Sequence, residues 1–267
     1  MPEQVLRKCF NRNPSNFFVK GNAGDLFVNN ILKATYGKDI TINNIVDKGN
    51  RILLIGSIGH MIKDNDLLCG IGINDIMPPV NSKRKCTILG LRGPLSYEAF
   101  KKAGHDVSNI NFLMDPGLLL KYFFSSEELS YSGKDIIFIP HYRERYTYKN
   151  YDIPNGIKLI DIDCDPINLG RKIINAKLVY TSSLHGIIFA HSLGRPCIFV
   201  QPQTKESLIK YVDYYTSINH SLPMPLRHIS EAKFTGSPDS PANIKFKKSD
   251  FIFPEPEYLR QKLIINN

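Results

Sequence analysis

The sequence has few cysteines and no tryptophan, and its five cysteines are far apart. Their number is odd and none forms a C-x-x-C pair. This pattern argues against a disulfide framework and against a zinc cluster, so a reducing cytoplasmic setting is expected. No group of histidines and aspartates has metal-ligand spacing either, so we expect no metal and no cofactor. The absence of tryptophan excludes nothing.

Long apolar runs and long basic runs are also absent. No apolar stretch approaches the roughly 20 residues of a membrane-spanning helix, and residues 1–10 lack the apolar segment of a signal peptide. The 267 residues carry a net charge of +9, which favours anionic substrates, anionic lipid head groups or nucleic acid as partners. The basic residues form only short clusters, at 83–85, 143–145 and 245–248. We therefore expect most of them on a solvated surface and predict no nucleic-acid-binding arm.

Short apolar runs alternate with helical patterns along most of the chain. Runs typical of buried strands occur at residues 17–19, 51–55, 86–90, 111–114, 135–140, 157–160, 178–180 and 197–200. This alternation predicts an α/β fold with two Rossmann-like parallel-sheet domains, separated by a polar linker at 125–134. We predict an N-terminal domain at 1–128, a C-terminal domain at 129–240 and a tail at 241–267 that packs back on the N-terminal domain.

The most informative stretch is residues 180–196, where a predicted strand breaks at Thr181-Ser182-Ser183 and a helix follows. Either Ser182 or Ser183 can cap this helix by accepting a hydrogen bond from a first-turn amide. His185 then falls in the first turn, where unpaired amides and the positive end of the helix dipole favour an anion. The alternative is a tight strand-to-helix turn with a half-buried histidine, and spacing alone does not separate the two interpretations.

Four further polar side chains are predicted at the carboxyl ends of strands. Asp25 stands where a helix begins, either as its cap or as a polar group at the edge of a cleft. Arg92 precedes another helix, either as a clamp for phosphate or carboxylate or as a surface residue paired with Glu98 or Asp115. Asp115 precedes a proline, which disfavours helix at Asp115, so its carboxylate is predicted to be exposed at a strand end. His141 follows a later strand. Ligands of parallel α/β sheets bind beyond the strand ends, so these side chains and the histidine of residues 180–196 are predicted to share one crevice.

Seven short motifs, spread over residues 20–216, occur in a fixed order. They are Asn22-Ala23-Gly24-Asp25, Gly70-Ile71-Gly72, Arg92-Gly93-Pro94, Asp115-Pro116, Pro140-His141, Ser182-Ser183-Leu184-His185-Gly186 and Lys210-Tyr211-Val212-Asp213-Tyr214. Together they resemble the polysaccharide pyruvyl transferase family, especially its exopolysaccharide branch. The resemblance implies a fold similar to the GT-B glycosyltransferases, with two Rossmann-like domains facing a cleft. It also implies transfer of pyruvate from phosphoenolpyruvate to two hydroxyls of one sugar, which forms a cyclic ketal and releases phosphate.

This implied chemistry suggests a role for each polar side chain. The donor carries a phosphate and a carboxylate, which suit Arg92 and the start of the helix that carries His185. One group must protonate the enol methylene and another must accept a proton from a sugar hydroxyl. His185 and His141 are the candidates, with Asp115 or Asp25 as base or orienting group. The remaining donor-binding candidates are Asn22, Gly24, Ser182, Ser183 and Gly186, and the acceptor-binding candidates are Tyr211, Asp213 and Tyr214.

Two other functions stay open at this point. A glycosyltransferase of the same fold would also place a helix N-terminus and a basic residue at the diphosphate of a nucleotide-sugar. A non-catalytic saccharide-binding subunit would bind sugar without releasing phosphate. Nucleic-acid binding has only the net charge in its favour. The expected partners are phosphoenolpyruvate and a saccharide acceptor, with peripheral contact to the inner face of the membrane through residues 245–248 if the acceptor is lipid-linked.

Overall fold

Short parallel strands and helices alternate along the chain. The structure, a computed structural model, describes residues 21–37, 50–74, 83–131, 133–148, 153–232, 244–262 and 264. The strand predicted at 17–19 lies outside these residues. The strands form two four-stranded sheets, and every strand pairs with its neighbours in parallel. This mixed α/β arrangement is the predicted fold class and is consistent with Rossmann-like domains.

The first sheet is built from strands in sequence order. Its members are β1 (Ile52–Leu53), β2 (Leu67–Cys69), β3 (Thr87–Leu91) and β4 (Phe112–Leu113). The helices of this half are α1 (Ala23–Tyr36), α2 (Pro94–Lys102) and two 3₁₀ helices, Gly59–Met61 and Pro116–Phe123. Strand β2 is not among the predicted strands, because its apolar run is short and leads directly into the glycines at positions 70 and 72.

Helix α1 begins and ends at residues that the sequence indicates, although the cap differs. The side-chain oxygen of Asn22 accepts a hydrogen bond from the amide of Gly24 at 3.1 Å, which makes Asn22 the N-cap. Gly37 follows the last turn with a φ of 103°, a conformation that glycine adopts without strain. Because Asn22 provides the cap, the carboxylate of Asp25 is left for other contacts.

The second sheet has the strand order β6-β5-β7-β8. Its strands are β5 (Asp135–Ile139), β6 (Ile157–Leu159), β7 (Ala176–Thr181) and β8 (Cys197–Phe199). The α-helices of this half are α3 (Ser126–Ser130), α4 (Pro166–Ile174), α5 (Leu184–Ser192), α6 (Ile209–Ser217) and α7 (Pro256–Gln261), and the 3₁₀ helices are Tyr142–Glu144, Ile229–Glu231 and Lys248–Asp250. Within the described ranges, no helix is long and apolar enough to cross a membrane.

The largest buried core draws on both halves of the chain and on the tail. Phe27 of α1 stands edge-on to Phe189 of α5, with ring centroids 5.6 Å apart. The ring of Phe251, in the tail, lies 5.4 Å from that of Phe112 in β4. Burial of these aromatic side chains is a main source of stability. The two sheets are therefore packed around common side chains.

Hydrogen bonds also join the loop before α1 to the second half. The amide of Gly21 donates to the Asp163 carboxylate at 2.6 Å, and the amide of Ala23 donates to the carbonyl of Ile162 at 3.0 Å. The guanidinium of Arg145 donates to the other Asp163 oxygen at 2.6 Å. The start of α1, which carries the Asn-Ala-Gly-Asp motif, is thus fixed by the segment that follows β6.

Candidate active site

The five polar side chains predicted at strand ends lie in one cluster. The polar cluster consists of Asp25, Arg92, Asp115, His141 and His185, together with Lys210 of α6. Gly24, the neighbour of Asp25, packs against His185, and the Nζ atom of Lys210 lies 3.3 Å from Nε2 of His141. In agreement with these contacts, the charges of Arg92 and Lys210 both lower the pKa of His185. Charge effects of this kind decay over short distances. Residues that follow strands of both sheets therefore meet at this cluster.

His185 lies in the first turn of α5, as predicted, and its side chain is buried. A methyl group on Gly24 would stand 2.0 Å from its Nδ1 atom, so the imidazole packs where only glycine leaves room. Burial lowers the pKa of His185 to about 3, and the charges of Arg92 and Lys210 act in the same direction. Its Nε2 atom is buried without a hydrogen-bond partner among the described residues. The imidazole is thus neutral at physiological pH, and an anion bound beside it would raise its pKa and so strengthen it as a proton acceptor.

The N-terminus of α5 presents unpaired amides. Ser183 occupies the N-cap position but its side chain makes no capping hydrogen bond, so the predicted serine cap is wrong. The hydroxyl of Ser182 instead donates to Glu144 at 2.5 Å and accepts from the amide of His141 at 2.8 Å. The amides of the first three helical residues have no acceptor in the described part of the chain. Such amides, at the positive end of the helix dipole, favour an anion.

Both carboxyl groups of the cluster hold their protons more tightly than usual. Burial raises the pKa of Asp25 to about 7, the charge of Asp115 adds to this effect, and Lys210 opposes it. Although protein surrounds Asp25, its side chain keeps partial contact with solvent. Burial likewise raises the pKa of Asp115 to about 6, against the opposing effects of the Gly117 amide and Arg92. The Asp115 carboxylate is buried, rather than exposed as the following proline predicts.

Arg92 is only 1% exposed and forms three hydrogen bonds within the protein. Its Nε donates to Asp213 at 3.0 Å, Nη1 donates to the Ser57 hydroxyl at 2.6 Å and Nη2 donates to the Ile73 carbonyl at 2.9 Å. Ser96 donates two further hydrogen bonds to the Asp213 carboxylate. The alternative of a surface arginine is therefore wrong. Together, Arg92 and Asp213 form a buried ion pair that ties the start of α2 to α6.

The other predicted binding residues have partners within the protein. The hydroxyl of Tyr211 donates to the Ser182 carbonyl at 2.6 Å, and that of Tyr214 is hydrogen bonded to a buried histidine of α5. A methyl group on Gly186 would stand 2.2 Å from the Thr181 hydroxyl, so this glycine lets α5 lie against β7. Contacts of these residues with a donor or an acceptor stay predictions.

An ion network around His141 was missed by sequence reasoning. The Nζ atom of Lys210 lies 2.7 Å from Glu206 and 3.3 Å from Nε2 of His141. Arg143 donates to the other oxygen of Glu206 at 2.5 Å. Burial lowers the pKa of His141 well below its usual value, and the charges of Lys210 and Arg143 lower it further. The i, i+4 spacing of Glu206 and Lys210 is the local signal that could have identified this pair.

The cluster has the components of acid–base chemistry on an anionic substrate. It combines neutral imidazoles, a carboxyl with a pKa near neutrality, unpaired helix amides and several cations. Two residues whose environments give them different pKa values can serve as acid and base at the same pH. Over the described ranges, no three His, Cys, Asp or Glu side chains are placed to hold a metal ion.

Two parallel sheets with an acid–base cluster beyond their strand ends fit a transferase of anionic groups, and comparisons with known proteins agree. The family model "Polysaccharide pyruvyl transferase" matches residues 67–203. The uncharacterized protein L143 of Acanthamoeba polyphaga mimivirus is 31% identical over 211 residues, which cover 74% of this chain and 72% of that protein. No solved structure matches. The chain belongs to the polysaccharide pyruvyl transferase family, which implies a saccharide acceptor.

Proposed function

We propose that this protein transfers pyruvate from phosphoenolpyruvate to two hydroxyls of one sugar, forming a cyclic ketal and releasing phosphate. The sugar belongs to a surface polysaccharide or exopolysaccharide, or to its lipid-linked repeat unit. The observation that supports the proposal is the packing of His185, at the unpaired amides of α5, against Gly24, the residue that precedes Asp25 in α1. A small, highly charged donor requires an anion site, a proton donor and a proton acceptor close together.

The GT-B-like arrangement of two domains around a cleft is part of this proposal, with the domain division after residue 128. The packed sheets and the position of the polar cluster support it, because ligands of such folds bind where the strand ends face each other.

In the first step, Asp25 acts as the acid and His185 as the base. The Asp25 carboxyl gives its proton to the methylene carbon, which becomes a methyl group and leaves positive character at the central carbon. His185 accepts the proton of the first sugar hydroxyl as the oxygen of that hydroxyl bonds to the central carbon. The sequence names His185 and His141 as the acid–base candidates without deciding which is the acid, and the lowered pKa values of both imidazoles favour the role of base over that of acid.

In the second step, the other sugar hydroxyl attacks the same carbon and the bond to phosphate breaks. The proton of this hydroxyl returns to the Asp25 carboxylate, and protonated His185 gives its proton to the departing phosphate. Both groups regain their starting states. Three of the five N–H groups of Arg92 bind protein atoms, and the other two are available to the donor's carboxylate.

Phosphate release tests the function directly. With phosphoenolpyruvate and a panel of galactosides, glucosides and mannosides, we expect one acceptor to stimulate phosphate release and to gain the mass of pyruvate less water. In a thermal-shift panel, phosphoenolpyruvate should raise Tm and nucleotide-sugars should not. Stabilisation by a nucleotide-sugar alone would indicate a glycosyltransferase. Sugar binding without phosphate release would indicate a binding subunit.

The role of Asp25 predicts the pH dependence of the reaction. Because the acid must carry a proton, we expect kcat to fall as pH rises above the Asp25 pKa of about 7. Replacing Asp25 with asparagine should lower kcat by about 10²–10⁴-fold and remove this basic limb from the pH–rate profile. Asp106→Asn is a matched control, because this aspartate is exposed and far from the chemistry. A basic limb that persists in the residual activity of D25N would assign the acid to another group.

The same substitution changes the pH dependence of stability. Since the folded protein raises the Asp25 pKa from 3.8 to about 7, it binds more protons than the unfolded chain between these values. The free energy of unfolding from this group therefore falls as pH rises through that interval, and D25N should remove its contribution. Asp115, whose pKa is also raised, contributes a slope of the same sign that remains in D25N, whereas the lowered pKa values of His141, His185 and His191 contribute slopes of the opposite sign.

A further inference from the structure

Lys210, Arg143 and Glu206 form an ion network beside His141, and this network carries more positive than negative charge. The ammonium of Lys210 and the guanidinium of Arg143 share one carboxylate, that of Glu206. Arg92, in contrast, shares the Asp213 carboxylate with no second cation among the described residues. Lys210 and Arg143 with Glu206 leave a net positive charge, whereas the Arg92–Asp213 pair is neutral as a whole. The buried carboxylate of Glu144 is bound separately, by the Ser182 hydroxyl and the amides of His141 and Gln203. The cationic charge that an anionic donor would meet therefore lies on the side of Lys210.

The position of Lys210 is unfavourable for folding alone. The side chain of Lys210 is only 8% exposed, and burial lowers its pKa. It is the second residue of α6, where the positive end of the helix dipole disfavours a cation. Desolvating an ammonium is costly, and one carboxylate shared with a second cation offsets only part of this cost. A bound anion would supply the missing compensation.

The ammonium of Lys210 also reaches the groups proposed for catalysis. Its charge lowers the pKa of Asp25, of His141 and of His185, which come from three separate elements. Of its three N–H groups, one binds Glu206 and one faces Nε2 of His141. The third has no hydrogen-bond acceptor among the residues that the structure describes, although the ammonium also lies 5.2 Å from the centroid of the Tyr211 ring.

We propose that Lys210 binds the phosphate group of the donor directly, as a donor-binding residue in addition to the amides of α5. This inference rests on the proposed function. As the ester bond breaks, its electron pair stays with the phosphate oxygen, and the nearby ammonium stabilises the charge that grows there. The proton of this leaving group comes from His185, so Lys210 keeps its own.

Binding experiments test this role without relying on turnover. Affinities for inorganic phosphate, pyruvate and phosphoenolpyruvate are measured by calorimetry on the full chain and on Lys210→Met. We expect this variant to bind phosphate and phosphoenolpyruvate about 10–100-fold more weakly, with little change for pyruvate. Lys205→Met is the matched control, since it removes the same charge from an exposed position nearby and should change neither affinity.

The variant is expected to fold, because Glu206 keeps its ion pair with Arg143 when Lys210 is removed. Glu206→Gln then separates ligand binding from a structural salt bridge. A structural role predicts equal losses of phosphate affinity in K210M and E206Q. Direct binding predicts that E206Q, measured at mildly acidic pH where Lys210 keeps its proton, retains or gains phosphate affinity.

The outcomes separate this inference from the proposed function. Unchanged phosphate affinity in K210M, equal losses in K210M and E206Q, or a loss confined to pyruvate would each overturn the assignment of Lys210 to the phosphate. The proposed function would stand despite such results, provided that the unaltered chain binds and consumes phosphoenolpyruvate. An unaltered chain that binds neither phosphate nor phosphoenolpyruvate would overturn both proposals.

Discussion

Replacing His185 with alanine should abolish measurable turnover, a loss of at least about 10²–10⁴-fold in kcat, while the fold persists. The imidazole is the proposed base and lies against Gly24, which precedes the proposed acid in the first turn of α1. Its Nε2 atom has no hydrogen-bond partner in the described ranges, so its removal leaves no partner unsatisfied there. Phosphate release and ketal formation measure the effect on chemistry, and thermal unfolding measures the effect on the fold.

The same helix offers a matched control in His191. This histidine is also buried, and its Nδ1 atom is 2.9 Å from the hydroxyl of Tyr214. It lies in the core of the protein, so His191→Ala should lower Tm through lost packing and leave kcat of the folded enzyme nearly unchanged. Ketal formation that survives in H185A would remove His185 from the mechanism. Equal losses of activity in H191A would indicate that packing of α5, rather than proton transfer, is what was disturbed.

Replacing Arg92 with alanine should lower the free energy of unfolding by about 3–5 kcal/mol, because Asp213 would remain buried without its cation. Arg92 is nearly inaccessible and Asp213 is completely buried. Chemical denaturation provides the measurement. The control is Arg260→Ala, which breaks an exposed pair with Glu257 and should cost no more than about 1 kcal/mol.

A role of Arg92 in donor binding needs a variant that keeps the fold. The double substitution Arg92→Met with Asp213→Asn removes both buried charges, and we expect it to recover much of the lost stability. If the two remaining N–H groups of Arg92 bind the donor, KM for phosphoenolpyruvate in this variant should rise by about tenfold or more. An unchanged KM in a stable double variant would argue against an anion clamp at this position.

The composition of the polar cluster could be predicted in large part because the relevant signals are local. Asp25, Arg92, Asp115, His141 and His185 each follow an apolar run or begin a helix. In a parallel sheet, all such positions lie at the same edge. This rule is sufficient to predict that the five residues lie close together, even though no long-range contact is known from the sequence.

The partners of these side chains could not be predicted, since they come from distant parts of the chain. Arg92 and Asp213 are 121 positions apart, and Gly21 and Asp163 are 142 positions apart. Local patterns contain no information about such pairings. Lys210 was overlooked for the same reason, because its importance depends on His141, 69 positions away. The protonation states could not be predicted either, because they depend on burial, which favours neutral imidazoles and a neutral carboxyl.

The hydrogen bonds at Gly21 and Ala23 have a consequence for the energetics of each reaction cycle. They fasten the start of α1, which carries the proposed acid, to the other half of the chain, so a hinge opening at this place would have to break them. The entropy of ordering this segment is therefore lost once, when the protein folds, and not again in every cycle. Contacts with the incoming substrates can then act chiefly on the transition state, in a site whose dipoles are already oriented.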